Sequence, residues 1–126
     1  MHIMVVDDEP DIQVLFEQRF RKEIRSGEMQ FHFAFSGDDA LAVLGSSAGT
    51  DLVLILSDIN MPGMSGLDLL KEIRVQRPAL PVFMITAYDD REKYESAMAS
   101  GANDYIAKPI DFTELKEKMR LLGEGS

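Results

Sequence analysis

The sequence predicts a doubly wound α/β sandwich, a five-stranded parallel sheet covered by helices on both faces, and three observations predict it. Short runs of branched or aromatic apolar residues recur as HIMVV, FHFAF, LVLIL, PVFMIT and DYIA. The stretches between them carry helical periodicity, so the pattern is β-α alternation. The runs alternate too little to leave one face in water, which marks strands buried on both sides. Strands that are each followed by a helix imply right-handed crossovers and a covered parallel sheet. The 126 residues are near the commonest size for one domain, drawn here as residues 1–122 with GEGS, 123–126, as a tail or the start of a linker.

HIMVV is the first strand and ends at Asp7 and Asp8. Pro10 suits the first turn of a helix, in which Ile12, Leu15, Phe16 and Phe20 form one apolar stripe. FHFAF is the second strand. Ser36 precedes Asp39 by three, a capping signal for the second helix, and GSSAGT, Gly45 to Thr50, is a loop. LVLIL is the third strand and runs into Asp58, after which Ser65, three before Asp68, opens the third helix. PVFMIT is the fourth strand and ends at Thr86, and Gly101 suits the position just past the fourth helix. DYIA is the fifth strand, followed by Lys108 and Pro109. Asp111, three before Glu114, opens a last helix whose stripe is Phe112, Leu115, Met119 and Leu122. The count is five strands and five helices, with no internal repeat.

Composition excludes several functions. Thirteen basic against twenty-two acidic residues give a net charge of −9, the wrong sign for a chain that holds nucleic-acid phosphates by itself. No apolar run approaches the roughly 20 residues of a membrane span. Met1 leads directly into HIMVV, without the basic segment or cleavage site of a signal peptide. There is no cysteine, hence no disulfide, thiolate nucleophile or Cys-ligated zinc. A cytoplasmic location fits these facts.

In a doubly wound sheet ligands bind beyond the carboxyl ends of the strands. Those ends carry Asp7 and Asp8, Asp58, Thr86 and Lys108. Taken singly, each has a plain explanation: a helix cap, a turn residue, a β-branched strand residue, a solvated lysine before a proline. Their coincidence on one edge argues for chemistry. Three carboxylates within a few ångströms raise one another's pKa unless a cation offsets them. Oxygen donors in this number suit Mg²⁺, with Mn²⁺ the alternative. Lys108 then supplies a point charge and Thr86 a hydroxyl for phosphoryl oxygens, and Asp58 is the carboxylate nucleophile. The loop after it fits: the Asn60 carbonyl can face the metal, Pro62 and Gly63 make a turn, Gly66 lets backbone pass close, and Ala87 leaves room beside Thr86.

VVDDEP, SDINMPGMSG, MITAY and YIAKPID stand in the order and spacing of the receiver domain of two-component response regulators, which the sequence resembles over nearly its whole length. The resemblance implies a flavodoxin-like (βα)5 fold with strand order 2-1-3-4-5. It implies Asp58 as phosphoacceptor, Asp7 and Asp8 as the acidic pair, and Asp7, Asp8, Asp58 and the Asn60 backbone carbonyl as Mg²⁺ ligands. Thr86 would be the switch hydroxyl, Tyr105 the switch aromatic, Lys108 the site lysine, and Lys108–Pro109 a cis peptide. The implied activity is transfer of a phosphoryl group from a phosphohistidine, or a small phosphodonor, to Asp58, followed by slow self-catalysed hydrolysis whose rate the family associates with positions such as Asn60 and Tyr88. The implied output is a change in the face made by the fourth helix, fifth strand and fifth helix. The implied partners are a sensor histidine kinase or phosphotransfer protein, a downstream effector domain or protein, and a second copy in a phosphorylation-dependent homodimer.

Three readings compete with it, the last a metal-only structural site in which Thr86 and Lys108 would have no role. In a non-phosphorylated receiver-like interaction module the site residues would be idle. An aspartyl-nucleophile phosphatase of the haloacid-dehalogenase kind places an acidic residue two positions after the nucleophile, where this chain has Asn60, and needs a cap domain. The segment FRKEIRSGEMQFHFAF is long for the family, which would lengthen a surface helix or alter kinase docking. Tyr105 has a second reading as a core aromatic. His2 and His32 have no partner at metal-ligand spacing and are expected as packed or edge residues, and the eight methionines as core filling.

Overall fold

Each apolar run becomes a strand, and the strands pair as one parallel sheet in the order β2-β1-β3-β4-β5 in the computed structural model, which describes residues 1–87 and 90–124. They are β1 (His2–Val6), β2 (Gln30–Ala34), β3 (Leu52–Asp58), β4 (Val82–Ala87) and β5 (Asp104–Lys108). The helices between them are α1 (Asp11–Arg19), α2 (Arg21–Ser26), α3 (Gly37–Leu44), α4 (Gly66–Gln76), α5 (Arg91–Ala99) and α6 (Phe112–Glu124), with a 3₁₀ turn over Ser47–Asp51. This is the predicted doubly wound fold, and strand order reverses between β1 and β3.

Two apolar layers hold it together. On one face Met4, Val6, Ile55, Val82 and Met84 pack with Leu44 of α3, Leu69, Leu70 and Ile73 of α4 and Ala97 of α5. On the other, Ile3, Val5, Leu54, Leu56 and Ile106 pack with Phe16, Phe20, Leu115 and Met119. Ile3, Val5, Leu54 and Leu56 on one side and Met4, Val6 and Ile55 on the other are fully buried, which is why these runs show no hydrophobic alternation. The stripes behave as read: Phe16 and Phe20 lie in contact with Phe31 and Phe112, tying α1, β2 and α6 into one aromatic cluster.

The caps follow the sequence as well. Ser36 accepts the Asp39 N–H at 3.0 Å and Ser65 the Asp68 N–H at 3.2 Å. Asp111 accepts the N–H groups of Thr113 and Glu114, and Gly101 takes φ +104° directly after the Ser100 cap of α5.

Two expectations are corrected. The first helical stretch is two helices, giving six α-helices among the described residues. The break is Phe20, at φ −108° and ψ 22°; its ring is locked in the aromatic cluster while α2 beyond it buries no residue, so no apolar face holds α2 to the direction of α1. The second strand starts one residue early, at Gln30, and leaves Phe35 outside it, 39% exposed. No described helix is long and apolar enough to cross a membrane.

Candidate functional site

The predicted residues meet at the carboxyl edge of the sheet, around the point where strand order reverses. Asp7 directly follows β1, and its N–H donates to the Ala34 carbonyl of the neighbouring strand at 3.0 Å, which fixes its backbone. Asp58 closes β3 in register with Ile85, and the Ile59 N–H donates to the Ile85 carbonyl. Thr86 is therefore one residue past the partner of Asp58, at the end of β4, and Lys108 ends β5 opposite Ala87.

One carboxylate oxygen from each of Asp7, Asp8 and Asp58 lies within 4.8 Å of the others. Asp7 and Asp58 are buried and Asp8 is exposed, so the cluster opens to solvent on the Asp8 side. Lys108 Nζ donates to Asp58 Oδ2 at 2.9 Å and stands 3.6 Å from Asp7 Oδ2. The other oxygens are held by the loops: the Glu9 N–H donates to Asp7 Oδ1 at 2.9 Å, and the Asn60 N–H to Asp58 Oδ1 at 3.0 Å.

One lysine among three carboxylates leaves the site short of positive charge. Burial, reinforced by the charges of Asp58 and Glu9, pushes the Asp7 carboxyl above its ordinary range despite the Glu9 N–H and Lys108. Burial alone would lower Lys108, but its hydrogen bond to Asp58 and the charges of Asp58, Asp7 and Glu9 together raise it, so it stays protonated. Two buried atoms have no hydrogen-bond partner among the described residues: Asp7 Oδ2 and Thr86 Oγ1. An unpartnered carboxylate oxygen costs free energy unless something outside the chain meets it. Hard oxygen donors of this number fit a Mg²⁺-type ion.

The loop after Asp58 is built for close approach. At Gly66 a Cβ would lie 2.1 Å from the Asp58 carbonyl oxygen and 2.6 Å from the Ile59 Cα, so only glycine lets α4 begin there. Gly63 has φ +74°. The Lys108–Pro109 peptide is cis.

Tyr105 is not a core aromatic. It is 37% exposed, its ring 4.3 Å from that of Tyr94 on α5 and under Lys118 of α6. Lys118 in turn bonds Asp104 at 2.9 Å. Tyr105 thus belongs to the surface of α5, β5 and α6, the fourth helix, fifth strand and fifth helix of the sequence reading. Tyr88 lies outside the described residues.

Sequence reasoning missed Lys93. From the first turn of α5 its Nζ donates to Asn60 Oδ1 and stands 3.6 Å from Asp90 Oδ2, so α5 is clipped to the loop after Asp58. The only local signal was the Asp90–Lys93 spacing, a pattern also expected of any capped helix.

The profile of the response regulator receiver domain family matches residues 3–120. The chain belongs to the response regulator receiver family. It is similar to the chemotaxis protein CheY-3 of Vibrio cholerae serotype O1, 37% identical over 121 residues, 94% of this chain and 88% of that protein. It is also similar to the DNA-binding transcriptional regulator NtrC of Salmonella typhimurium, 38% identical over 112 residues, where it matches 89% of this chain but only 22% of that protein. Among solved structures, the receiver domain of NtrX from Brucella abortus superposes with a TM-score of 0.84 at 36% identity, covering 98% of this chain and 99% of that one. The receiver carries the acidic pocket of Asp7, Asp8 and Asp58 with Lys108 beside it, on the five-stranded parallel fold of the family.

Proposed function

We propose that this receiver accepts a phosphoryl group on Asp58 and that the modification resets the surface of α5, β5 and α6. The observation that carries the reading is the Lys108 ammonium 2.9 Å from Asp58 Oδ2, inside a carboxylate cluster that also buries an unpartnered hydroxyl, Thr86.

The donor is a phosphohistidine of a sensor histidine kinase or phosphotransfer protein, or a small acyl phosphate. An Asp58 oxygen attacks phosphorus; the O–P bond forms as the bond to the donor breaks, and the imidazole or acetate leaves with the electron pair. Lys108, about a third exposed, is free to follow the phosphoryl oxygens and offset their charge. Asp7, Asp8 and Asp58, with the Asn60 backbone carbonyl, would hold Mg²⁺ or Mn²⁺. That ion, when bound, supplies charge neutralisation at the transferred group.

Thr86 then donates its hydroxyl to a phosphoryl oxygen, and Tyr105 leaves its place against Tyr94 for the space so vacated. That is a population shift between two packings. Water later hydrolyses the acyl phosphate. The changed surface is read by an effector, as a covalently linked domain, a separate protein or a second copy of the chain, in the cytoplasm.

Intact-mass spectrometry after incubation with acetyl phosphate, with and without Mg²⁺, tests this on wild type and Asp58→Asn. A Mg²⁺-dependent gain of one phosphoryl group, absent in the variant, is expected. No gain with either acetyl phosphate or a phosphorylated kinase would leave a receiver that acts only as an interaction module.

A further inference from the structure

We propose that His2 and His32 form a second cation site, for an imidazole-seeking divalent transition ion such as Zn²⁺, Ni²⁺ or Cu²⁺, at the opposite end of the sheet from the acidic pocket. The two residues are 30 positions apart, and the sheet brings them together. His32 pairs with Met4 and His2 with Gln30 on adjacent parallel strands, so the histidines are diagonal neighbours. They share the face of Met4, Val6 and Ala34. Both are half-buried, and their rings lie nearly parallel, 5.5 Å apart at 19°.

His2 Nδ1 stands 3.2 Å from His32 Nε2. That is the separation two imidazole nitrogens need to share one ion. With metal–nitrogen bonds of about 2.0–2.1 Å, the angle at the ion would be about 100°, between a square-planar corner and a tetrahedral one. As neutral rings without metal, the facing nitrogens hold one proton between them. An ion replaces it when the ring that carried that proton shifts it to its own outer nitrogen, so that both facing nitrogens donate lone pairs and each ring carries its proton outward. Two neutral rings therefore take the ion with no net proton release.

The acidic pocket lies five residues further along β1, about 17 Å away, and offers hard oxygens, so the two sites prefer different ions. The histidine site joins β2 to β1, and β2 is an edge strand with no other strand neighbour.

The test is calorimetric titration of the full chain with Zn²⁺ in saturating Mg²⁺, with the imidazole nitrogens followed by NMR. One Zn²⁺ per chain is expected, shifting ring nitrogens of both histidines. His2→Gln and His32→Gln should each weaken it at least about tenfold while leaving Mg²⁺ affinity unchanged. His2 opens its strand, so His2→Gln decides the matter should His32→Gln not fold. Unchanged Zn²⁺ affinity in the folded variants, or a shift of one ring only, would overturn the proposal.

Discussion

Asp7 shows what the site costs the fold. The carboxylate is 1% exposed, one of its oxygens has no hydrogen-bond partner, and burial raises its pKa above the ordinary 3.8. A raised native pKa means the native state binds the proton more readily than the unfolded chain. Metal-free stability therefore falls as pH rises from 3.8 through the native value, and is lowest once Asp7 is ionised in both states. Asp7→Asn keeps an acceptor for the Glu9 N–H and removes the buried charge. In EDTA at neutral pH it should be more stable by on the order of 1 kcal/mol, about 4 °C in Tm, with that limb of the pH profile flattened. Saturating Mg²⁺ should raise the Tm of wild type and not of the variant. Scanning calorimetry reads both, and a variant less stable than wild type in EDTA would contradict the account. At this scale the gathering of Asp7, Asp8, Asp58, Thr86 and Lys108 was legible, because each lies at or just past the carboxyl end of a strand and parallel strands end on one edge. The sequence did not show the His2–His32 contact or the Lys93 clip to Asn60. Those depend on register and on the reach of a side chain across a gap of some thirty residues.

Between elements, the contacts that aim the site are backbone contacts. Gly66 is the first residue of α4, and its N–H donates to the Ile59 carbonyl at 2.8 Å while its Cα faces the end of β3. Gly66→Ala must separate α4 from Asp58, at about 3 kcal/mol, and should slow phosphorylation by acetyl phosphate. Gly63→Ala meets open space and carries only the strain of φ +74°, about 1 kcal/mol. Urea midpoints and phosphorylation rates for the pair separate displacement of Asp58 from loop strain; equal losses in both variants would count against displacement. Arg74, near the end of α4, makes a second such joint, donating to the carbonyls of Gly101, Leu80 and Arg77 and to Asn103 Oδ1. Burial lowers its pKa. Arg74→Lys keeps the charge without the planar fork, and is expected to lose about 2 kcal/mol in urea unfolding; full retention of stability would show the fork to be dispensable. Element existence was legible where the central strands β1, β3 and β4 are apolar on both faces and where α1, α3, α4, α5 and α6 carry a stripe or a cap; α2 has neither. The break at Phe20 was not, since Ile12, Leu15, Phe16 and Phe20 read as one stripe and only packing against Phe31 and Phe112 shows where the helix turns.

For the whole molecule, the two apolar layers divide the labour. The layer under α1 and α6 holds five stacked or edge-on phenylalanines. The surface of α5, β5 and α6 carries the exposed Tyr105 and a polar network of Lys118 with Asp104 and Glu114, and α5 buries only Ala97. Opening elements are drawn from the less buried parts of a fold. Phosphorylation should therefore alter amide exchange over α5, β5 and α6 while leaving β1 and β3 unchanged. Size decides how much of this rests on Thr86. Moving an equilibrium from 1:99 to 99:1 takes about 5.5 kcal/mol, and one hydrogen bond to a charged group contributes about 1.5–3 kcal/mol. Thr86→Ala should then accept the phosphoryl group yet keep only about 40–90% of the switched population. Hydrogen-exchange mass spectrometry of phosphorylated wild type and Thr86→Ala, each checked by intact mass, compares the two amplitudes. A full response in Thr86→Ala would place the coupling elsewhere, with the Lys93–Asn60 clip, which already joins α5 to the loop after Asp58, the next joint to cut.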